Sequence, residues 1–150
     1  MEYFQISQSD EINNPPGLKN VFFTIKKEII NMENIDELPN PLIFNVSGNA
    51  QSQYPDLIDC DLFLVSRSFR NVFRIYDPNL NFIPIALSDS KNHKYETYHM
   101  PVFNEIECLS DKSEFNRDKS VIKSMILKEE SIENHPIFRV RYSVRPIVIS

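Results

Sequence analysis

The chain has 150 residues, a net charge of −5, and ordinary apolar and charged fractions of 41% and 25%. These values indicate a globular protein long enough to bury a core, and we expect residues 1–150 to form a single domain. The negative charge argues against a nucleic-acid partner, and a content of only two glycines argues against a glycine-rich nucleotide loop.

The N-terminus and the two cysteines indicate where the protein works. The first residues, MEYFQISQSDE, have neither the basic start nor the apolar segment of a secretory signal peptide. No apolar run approaches the roughly 18 residues of a membrane span. We therefore expect a cytoplasmic protein without a membrane partner, in which Cys60 and Cys108 are free, buried thiols.

The first sixty residues predict short elements separated by turns. Residues 3–6 predict an opening strand, and residues 42–46 predict a second one. Residues 18–32 are ambiguous, because apolar side chains recur at helical spacing while the run VFFTI is rich in strand formers. The helical spacing slightly favours a helix there.

The stretch 61–87 carries the clearest local signals in the chain. The apolar run 62–65 predicts a strand covered on both faces. Ser66 follows it as an N-cap, and Asp77-Pro78 ends the helix because the residue before a proline leaves the helical region. The sequence therefore predicts a helix over residues 67–76 that follows a buried strand.

This helix has an apolar face and a basic face. The apolar side chains recur at i, i+3, i+4 and i+7, namely Phe69, Val72, Phe73 and Tyr76. We expect this face to be buried, with Phe73 at its centre. The opposite face carries Arg67, Arg70 and Arg74, which either grip an anionic group or form an ordinary solvated surface.

The second half of the chain predicts mostly strands. Residues 82–87 predict a strand in which Pro84 cannot donate a hydrogen bond, so we expect it at an edge or a bulge. Residues 94–109 predict one long strand bent at Pro101. Further strands are predicted at 121–127 and 137–142. Many short strands with one clear helix indicate an α+β fold, mainly an antiparallel sheet with few helices.

Side chains able to do chemistry form no recognisable motif. The three histidines and two cysteines show no metal-ligand spacing, so we expect neither a metal site nor a cofactor. Cys60 lies between Asp59 and Asp61, whose charges would raise the pKa of its thiol. An enzyme would have to be a small hydrolase using Glu105, Glu107 or His99, and we expect no catalytic residues.

Acidic residues are concentrated before residue 61. Residues 1–60 hold nine acidic and three basic side chains. The densest cluster is Glu33, Asp36 and Glu37, in a proline-bearing stretch that we call the acidic connector. A second cluster, Asp56, Asp59 and Asp61, flanks a predicted buried strand and fits a capping role.

Several stretches resemble an immunity-protein family of bacterial polymorphic toxin systems, long catalogued as a domain of unknown function. The similar stretches are PLIFNVS at 41–47, PDLIDCDLFLVSRSF at 55–69, NLNFIPIAL at 79–87, YHMPVFNEIECLSDKS at 98–113 and IFRVRYSVRPIVIS at 137–150. Glu107 stands where the family usually has aspartate. The family usually continues with a helix past the final serine, and this chain stops at that serine, so we expect the closing helix to be absent.

The resemblance implies a non-catalytic protein that neutralises a cognate toxin by stoichiometric binding. Nuclease toxins have basic surfaces, so we expect a basic toxin domain to meet the acidic connector. The alternative is an acidic partner facing Arg67, Arg70 and Arg74. The competing functions are the hydrolase described above and a general scaffold or adaptor.

Overall fold

The computed structural model describes residues 2–25, 35–141, 143 and 145–149. The chain folds into two compact units: a larger unit, Ser7–Val102, and a smaller unit that joins Met1–Ile6 to Phe103–Ser150. The regular elements, in chain order, are β1 (Tyr3–Gln5), β2 (Gly17–Leu18), α1 (Val21–Thr24), β3 (Leu42–Ser47), β4 (Leu57–Asp59), β5 (Phe63–Val65), α2 (Arg67–Tyr76), β6 (Asn81–Asp89), β7 (Lys94–Val102), β8 (Glu105–Ile106), β9 (Glu114–Phe115), β10 (Ile122–Ser124), β11 (Ile137–Val140) and β12 (Pro146–Ile149). Two short 3₁₀ turns lie at Ile35–Glu37 and Glu129–Ser131.

The larger unit is built on a six-stranded sheet with the order β2-β3-β6-β7-β5-β4. Its centre is the antiparallel hairpin of β6 and β7, which are paired from Asn81 opposite Val102 to Asp89 opposite Lys94. β3 runs parallel to β6, and the other strand pairs of this sheet are antiparallel. Side chains alternate between the two faces of each strand, so this register decides which side chains share a face.

One face of the sheet buries the main apolar core. The side chains that meet there from β3, β6 and β7 are Leu42, Phe44, Val46, Ile85, Leu87, Tyr98 and Met100. Val21 and Ile25, at the two ends of the α1 turn, also belong to this core, and each is 2% exposed; the β4–β5 region adds Ile58, Leu62 and Leu64. The hydroxyl of Tyr98 donates to the backbone carbonyl of Pro55 at 2.6 Å, which gives its one polar group a partner.

The opposite face carries α2 over β5 and β7. Ser66 caps the helix, because its hydroxyl accepts from the backbone N–H of Phe69 at 3.1 Å. The helix ends at Asp77, whose backbone is extended. Phe73 is 1% exposed, and its ring lies 6.2 Å from the ring of Phe63 and 5.1 Å from that of Phe69. The predicted span, N-cap and buried centre of this helix are confirmed.

The predicted orientation of α2 about its axis is wrong in part. Val72 and Tyr76 are each 40% exposed, whereas Arg70 is half-buried. The helix is turned so that Phe73 points at the sheet, with Phe69 on one side of it and Arg70 on the other. Helical spacing alone could not show this, because the half-burial of Arg70 depends on its contact with His99, which lies on a distant strand, β7.

The described residues of the smaller unit form two sheets. One has the order β1-β12-β11-β8, with β8 parallel to β11, and the other pairs β9 with β10. Its core side chains include Cys108, Leu127, Ile132, Phe138, Val140 and Ile147. The single strand predicted over 94–109 is wrong, because β7 ends at Val102 and β8 belongs to a different sheet. Pro101 lies inside β7, opposite Phe82, and the pairing of β7 with β6 continues past it to Val102.

Pro84 occupies a local edge within an internal strand. It lies opposite His99 of β7, and the pairing of β6 with β3 starts only at Ile85. At this position β6 therefore has one partner strand, and the missing N–H of proline costs no hydrogen bond to β3. The predicted edge environment is correct for this residue, although the strand as a whole is central.

The described residues are mainly β-structure with few helices, as expected, and two strand pairs are parallel, β3 with β6 and β8 with β11. An α+β description fits loosely, since α2 is the one helix among these residues that is longer than a single turn. Of the ambiguous segment, Gly17–Leu18 is a strand and Val21–Thr24 is a helical turn. Residues 26–34 lie outside the described part.

Replacing Phe73 should destabilise the protein strongly. Phe73→Ala removes a fully buried ring between Phe63 and Phe69, and we expect it to lower the free energy of unfolding by about 3–5 kcal/mol. Ile75→Ala is the matched control, because Ile75 lies on the same helix and is 80% exposed. The control should change stability by less than about 0.5 kcal/mol in denaturant melts. Equal effects of the two variants would contradict the orientation of α2.

Candidate partner-binding surfaces

The three arginines of α2 do not form one free stripe. Arg67 and Arg74 are exposed, and the guanidinium of Arg74 lies 5.5 Å from the centre of the Phe82 ring on β6. The half-buried Arg70 places Nη1 3.0 Å from Nε2 of His99. A guanidinium only donates, so Nε2 of His99 accepts and the imidazole is neutral. Arg70 therefore belongs to the packing of α2 on β7, and Arg67 and Arg74 remain available to a partner.

His99 is a buried histidine held in its neutral form. It is 9% exposed, and its pKa is lowered first by burial and then by the positive charge of Arg70. Arg74 and Arg67 lower the pKa of His99 further. The residue that we considered as a hydrolase histidine is thus part of the interface between α2 and the sheet.

The acidic connector is described only at its end. Asp36 and Glu37 lie in the 3₁₀ turn Ile35–Glu37, and both side chains are exposed. Glu33 lies outside the described residues. The two carboxylates that are described are therefore accessible to a partner.

The second acidic cluster includes Asp56, which holds the N-cap residue of α2 in place. A side-chain oxygen of Asp56 accepts from the Ser66 hydroxyl, and the backbone carbonyl of Asp56 accepts from the Ser66 N–H at 2.8 Å. Asp56 therefore fixes the residue that begins α2. Cys60, in the turn between β4 and β5, is exposed, so the prediction that it is buried is wrong; the tight turn points its side chain outward. Cys108 is free and buried, and burial raises the pKa of its thiol.

The carboxylates considered for catalysis are engaged in ion pairs of the smaller unit. Glu105 on β8 accepts from Arg139 on β11 at 2.8 Å, and Glu107 contacts Arg141. The first pair joins β8 to its parallel neighbour β11, and the second joins the residues just beyond these two strands. Such cross-strand pairs of opposite charge stabilise a sheet locally. Within the described ranges, no three His, Cys, Asp or Glu side chains are grouped so that they could hold a metal ion.

A buried carboxylate closes the hairpin of β6 and β7. Asp89 is 2% exposed and accepts from both the side-chain and backbone nitrogens of Asn92, at 2.8 and 3.1 Å. These hydrogen bonds, chiefly that of the side chain, hold the pKa of Asp89 below its usual value. The same Asn92 side chain donates to the carbonyl of Gly48 at 3.3 Å. Asp89 therefore holds Asn92, which ties the hairpin turn to the loop after β3, so this carboxylate has a structural role.

Part of the sheet face that carries α2 is left open, and the sequence reasoning missed it. The strand register places seven neighbouring side chains there, which we call the sheet platform: Ile43, Asn45, Pro84, Ala86, Ser88, Tyr95 and Thr97. Ala86 and Ser88 are half-buried and the other five are exposed. None of the seven is charged, although charged residues make up 25% of the chain. The signal was the uncharged alternate positions of β3, β6 and β7, which have meaning only once the register is known.

The state of His99 gives a pH prediction. Because its pKa is lowered by folding, the unfolded chain binds a proton more readily, and stability falls as the pH drops below the ordinary histidine value of about 6.5. We expect His99→Gln to remove this part of the loss between pH 7 and pH 5. The control His93→Asn removes an exposed imidazole from a left-handed turn position with φ of 52°, which asparagine tolerates.

The measurement is the free energy of unfolding of the three proteins in urea across this pH range. Wild type and His93→Asn should lose stability in parallel as the pH falls, while His99→Gln should lose less. A parallel loss in all three proteins would show that His99 is not held neutral by its surroundings.

No helix in the described part of the chain is long and apolar enough to span a membrane.

Comparison with known proteins places the chain in a family. No curated protein and no solved structure matches the sequence. An immunity protein family, Imm11, matches residues 4–150, nearly the whole chain and parts of both compact units. The chain therefore belongs to the immunity protein family Imm11.

Proposed function

We propose that this protein neutralises a cognate bacterial toxin by forming a stoichiometric complex in the cytoplasm, without catalysing a reaction. The observation that carries the proposal is the family match over residues 4–150. Because the match extends through both units, it also supports the prediction that the chain works as one immunity domain.

The pairing of the candidate acid–base groups supports a binding role over the hydrolase alternative. Glu105 and Glu107 are paired with arginines, and His99 accepts from Arg70 under cover of α2. A general acid or base must reach a substrate proton with a suitable pKa. Both carboxylates are engaged by arginines, and the buried His99 beside Arg70 favours the neutral form under α2, which suits a structural role for all three groups.

The test partner is to be sought as a toxin domain encoded by a gene next to the one for this chain. Co-expression of this chain with that domain should restore bacterial growth, and the two proteins should elute together as a 1:1 complex. A toxin domain of a different family is the control and should remain toxic. Continued growth arrest in the presence of soluble, folded protein would contradict the proposal, and a complex without rescue would favour the scaffold alternative.

The acidic connector is proposed to steer a basic toxin domain toward this protein. Long-range attraction between opposite charges raises the association rate more than the final affinity. The support for this role is the exposure of Asp36 and Glu37 in a chain whose first sixty residues are predominantly acidic. Arg67 and Arg74 are the alternative surface, for a partner that presents carboxylates.

Neutralising the connector should slow association. We expect the triple variant Glu33→Gln, Asp36→Asn, Glu37→Gln to bind the toxin domain about 3- to 10-fold more slowly at low salt, with the difference shrinking as salt screens the charges. The matched control changes Glu129, Glu130 and Glu133 to Gln, which removes three exposed acidic side chains from the smaller unit. Equal slowing by both variants would assign the effect to net charge and not to the connector.

A further inference from the structure

We propose that the sheet platform is the surface on which the toxin domain docks, and that the toxin places a carboxylate-bearing, otherwise apolar element on it against Arg74. The inference rests on the proposed function and names the contact surface within it. It concerns only the larger unit, whose sheet register defines the platform.

The platform has the composition of an interface centre. Charged residues are depleted at the buried centres of protein interfaces, where aromatic side chains are enriched. Tyr95 is 70% exposed and Ile43 is 56% exposed, and they lie on the two outer strands of the platform. On β6 between these strands, Ala86 lies opposite Ile43 and Ser88 lies opposite Tyr95. A three-stranded face with exposed apolar side chains and no charge is unusual for an open sheet surface and marks an interaction site.

The geometry of α2 gives the platform a basic wall. The helix lies over β5 and β7, and its arginine side is turned toward β6, because Arg70 reaches His99 on β7 and Arg74 lies over Phe82 on β6. Residues Arg67–Tyr76 include three arginines and no carboxylate. An occupant of the platform therefore meets positive charge along one side and an uncharged surface below.

This combination selects the chemistry of the occupant. Apolar side chains of the toxin would cover Ile43, Ala86 and Tyr95. A carboxylate of the toxin would pair with the guanidinium of Arg74, which is exposed and can donate to both carboxylate oxygens. Local contacts and overall charge are separate requirements. A toxin that is basic overall can be attracted by the connector and still present one acidic residue to Arg74.

A second copy of this chain is a less suitable occupant. Two platforms facing each other about a twofold axis would bring two arginine-bearing helices into one interface, where like charges repel. The self-association arm of the test below decides between a toxin domain and a second copy.

The test introduces a charge into the platform and measures binding to the toxin domain encoded beside this chain. Ile43→Glu and Thr97→Glu place a carboxylate on exposed positions, and each should weaken the affinity by about tenfold or more. Arg74→Glu should weaken it to a similar extent. Val121→Glu is the matched control, because Val121 is an aliphatic residue of the smaller unit that is also 56% exposed, and it should leave the affinity unchanged.

A crosslinking measurement keeps the test independent of any folding defect in these variants. A photoreactive phenylalanine derivative placed at position 95 should crosslink to the toxin domain, and the same group at position 121 should not. Wild-type affinity in both platform variants, or crosslinking at 121 and not at 95, would overturn the inference.

The outcomes separate this inference from the proposed function. Failure of the wild-type chain to bind or rescue removes the proposed function, and with it the docking surface. Binding and rescue by wild type together with normal binding by Ile43→Glu and Thr97→Glu removes only the docking surface. A wild-type dimer that becomes a monomer on Ile43→Glu would assign the platform to a second copy and would also overturn the inference.

Discussion

The packing of Phe73 against Phe63 determines which part of the sheet is covered. Phe73 holds α2 over β5 and β7, and Ser66 and Asp56 fix where the helix begins. Because the helix is only ten residues long, it covers the β5 and β7 side of the face and leaves β3 and much of β6 open. One buried aromatic contact thus creates both a basic wall and an uncharged surface beside it.

Burial also determines which charged groups are available for binding. Arg70 contacts His99. Asp56 accepts a hydrogen bond from the N-cap Ser66, and Asp89 accepts one from Asn92 in the hairpin turn. Arg67 and Arg74 on α2 and Asp36 and Glu37 in the connector remain exposed. The protein therefore offers a cationic surface and an anionic one within the larger unit. In the proposed complex the anionic surface would act in long-range attraction and the cationic one in close contact.

Local signals in the sequence were sufficient for α2 but not for its environment. The N-cap Ser66 and the stop at Asp77-Pro78 act through neighbouring backbone atoms, so the span of the helix was predictable. The half-burial of Arg70 depends on His99, which lies 29 residues further along the chain on β7. Likewise, the strand predicted over 94–109 failed because its apolar residues are shared between two different sheets.

The sheet platform illustrates the same limit more clearly. Ile43, Ala86 and Thr97 are each unremarkable in their own segments, and they become neighbours only through the parallel pairing of β3 with β6 and the antiparallel pairing of β6 with β7. A shift of one residue in either register would send them to the opposite face. Periodicity within one strand carries no information about that alignment, so the candidate contact surface could not be derived from the sequence.

Titration of toxin activity with purified immunity protein tests the central claim most directly. If neutralisation is stoichiometric binding, the residual activity of a fixed amount of toxin domain should fall in proportion to added protein and reach zero at one equivalent. Complete inactivation by a small fraction of an equivalent would reveal turnover and contradict a non-catalytic binder. Full toxin activity at saturating protein would contradict neutralisation itself.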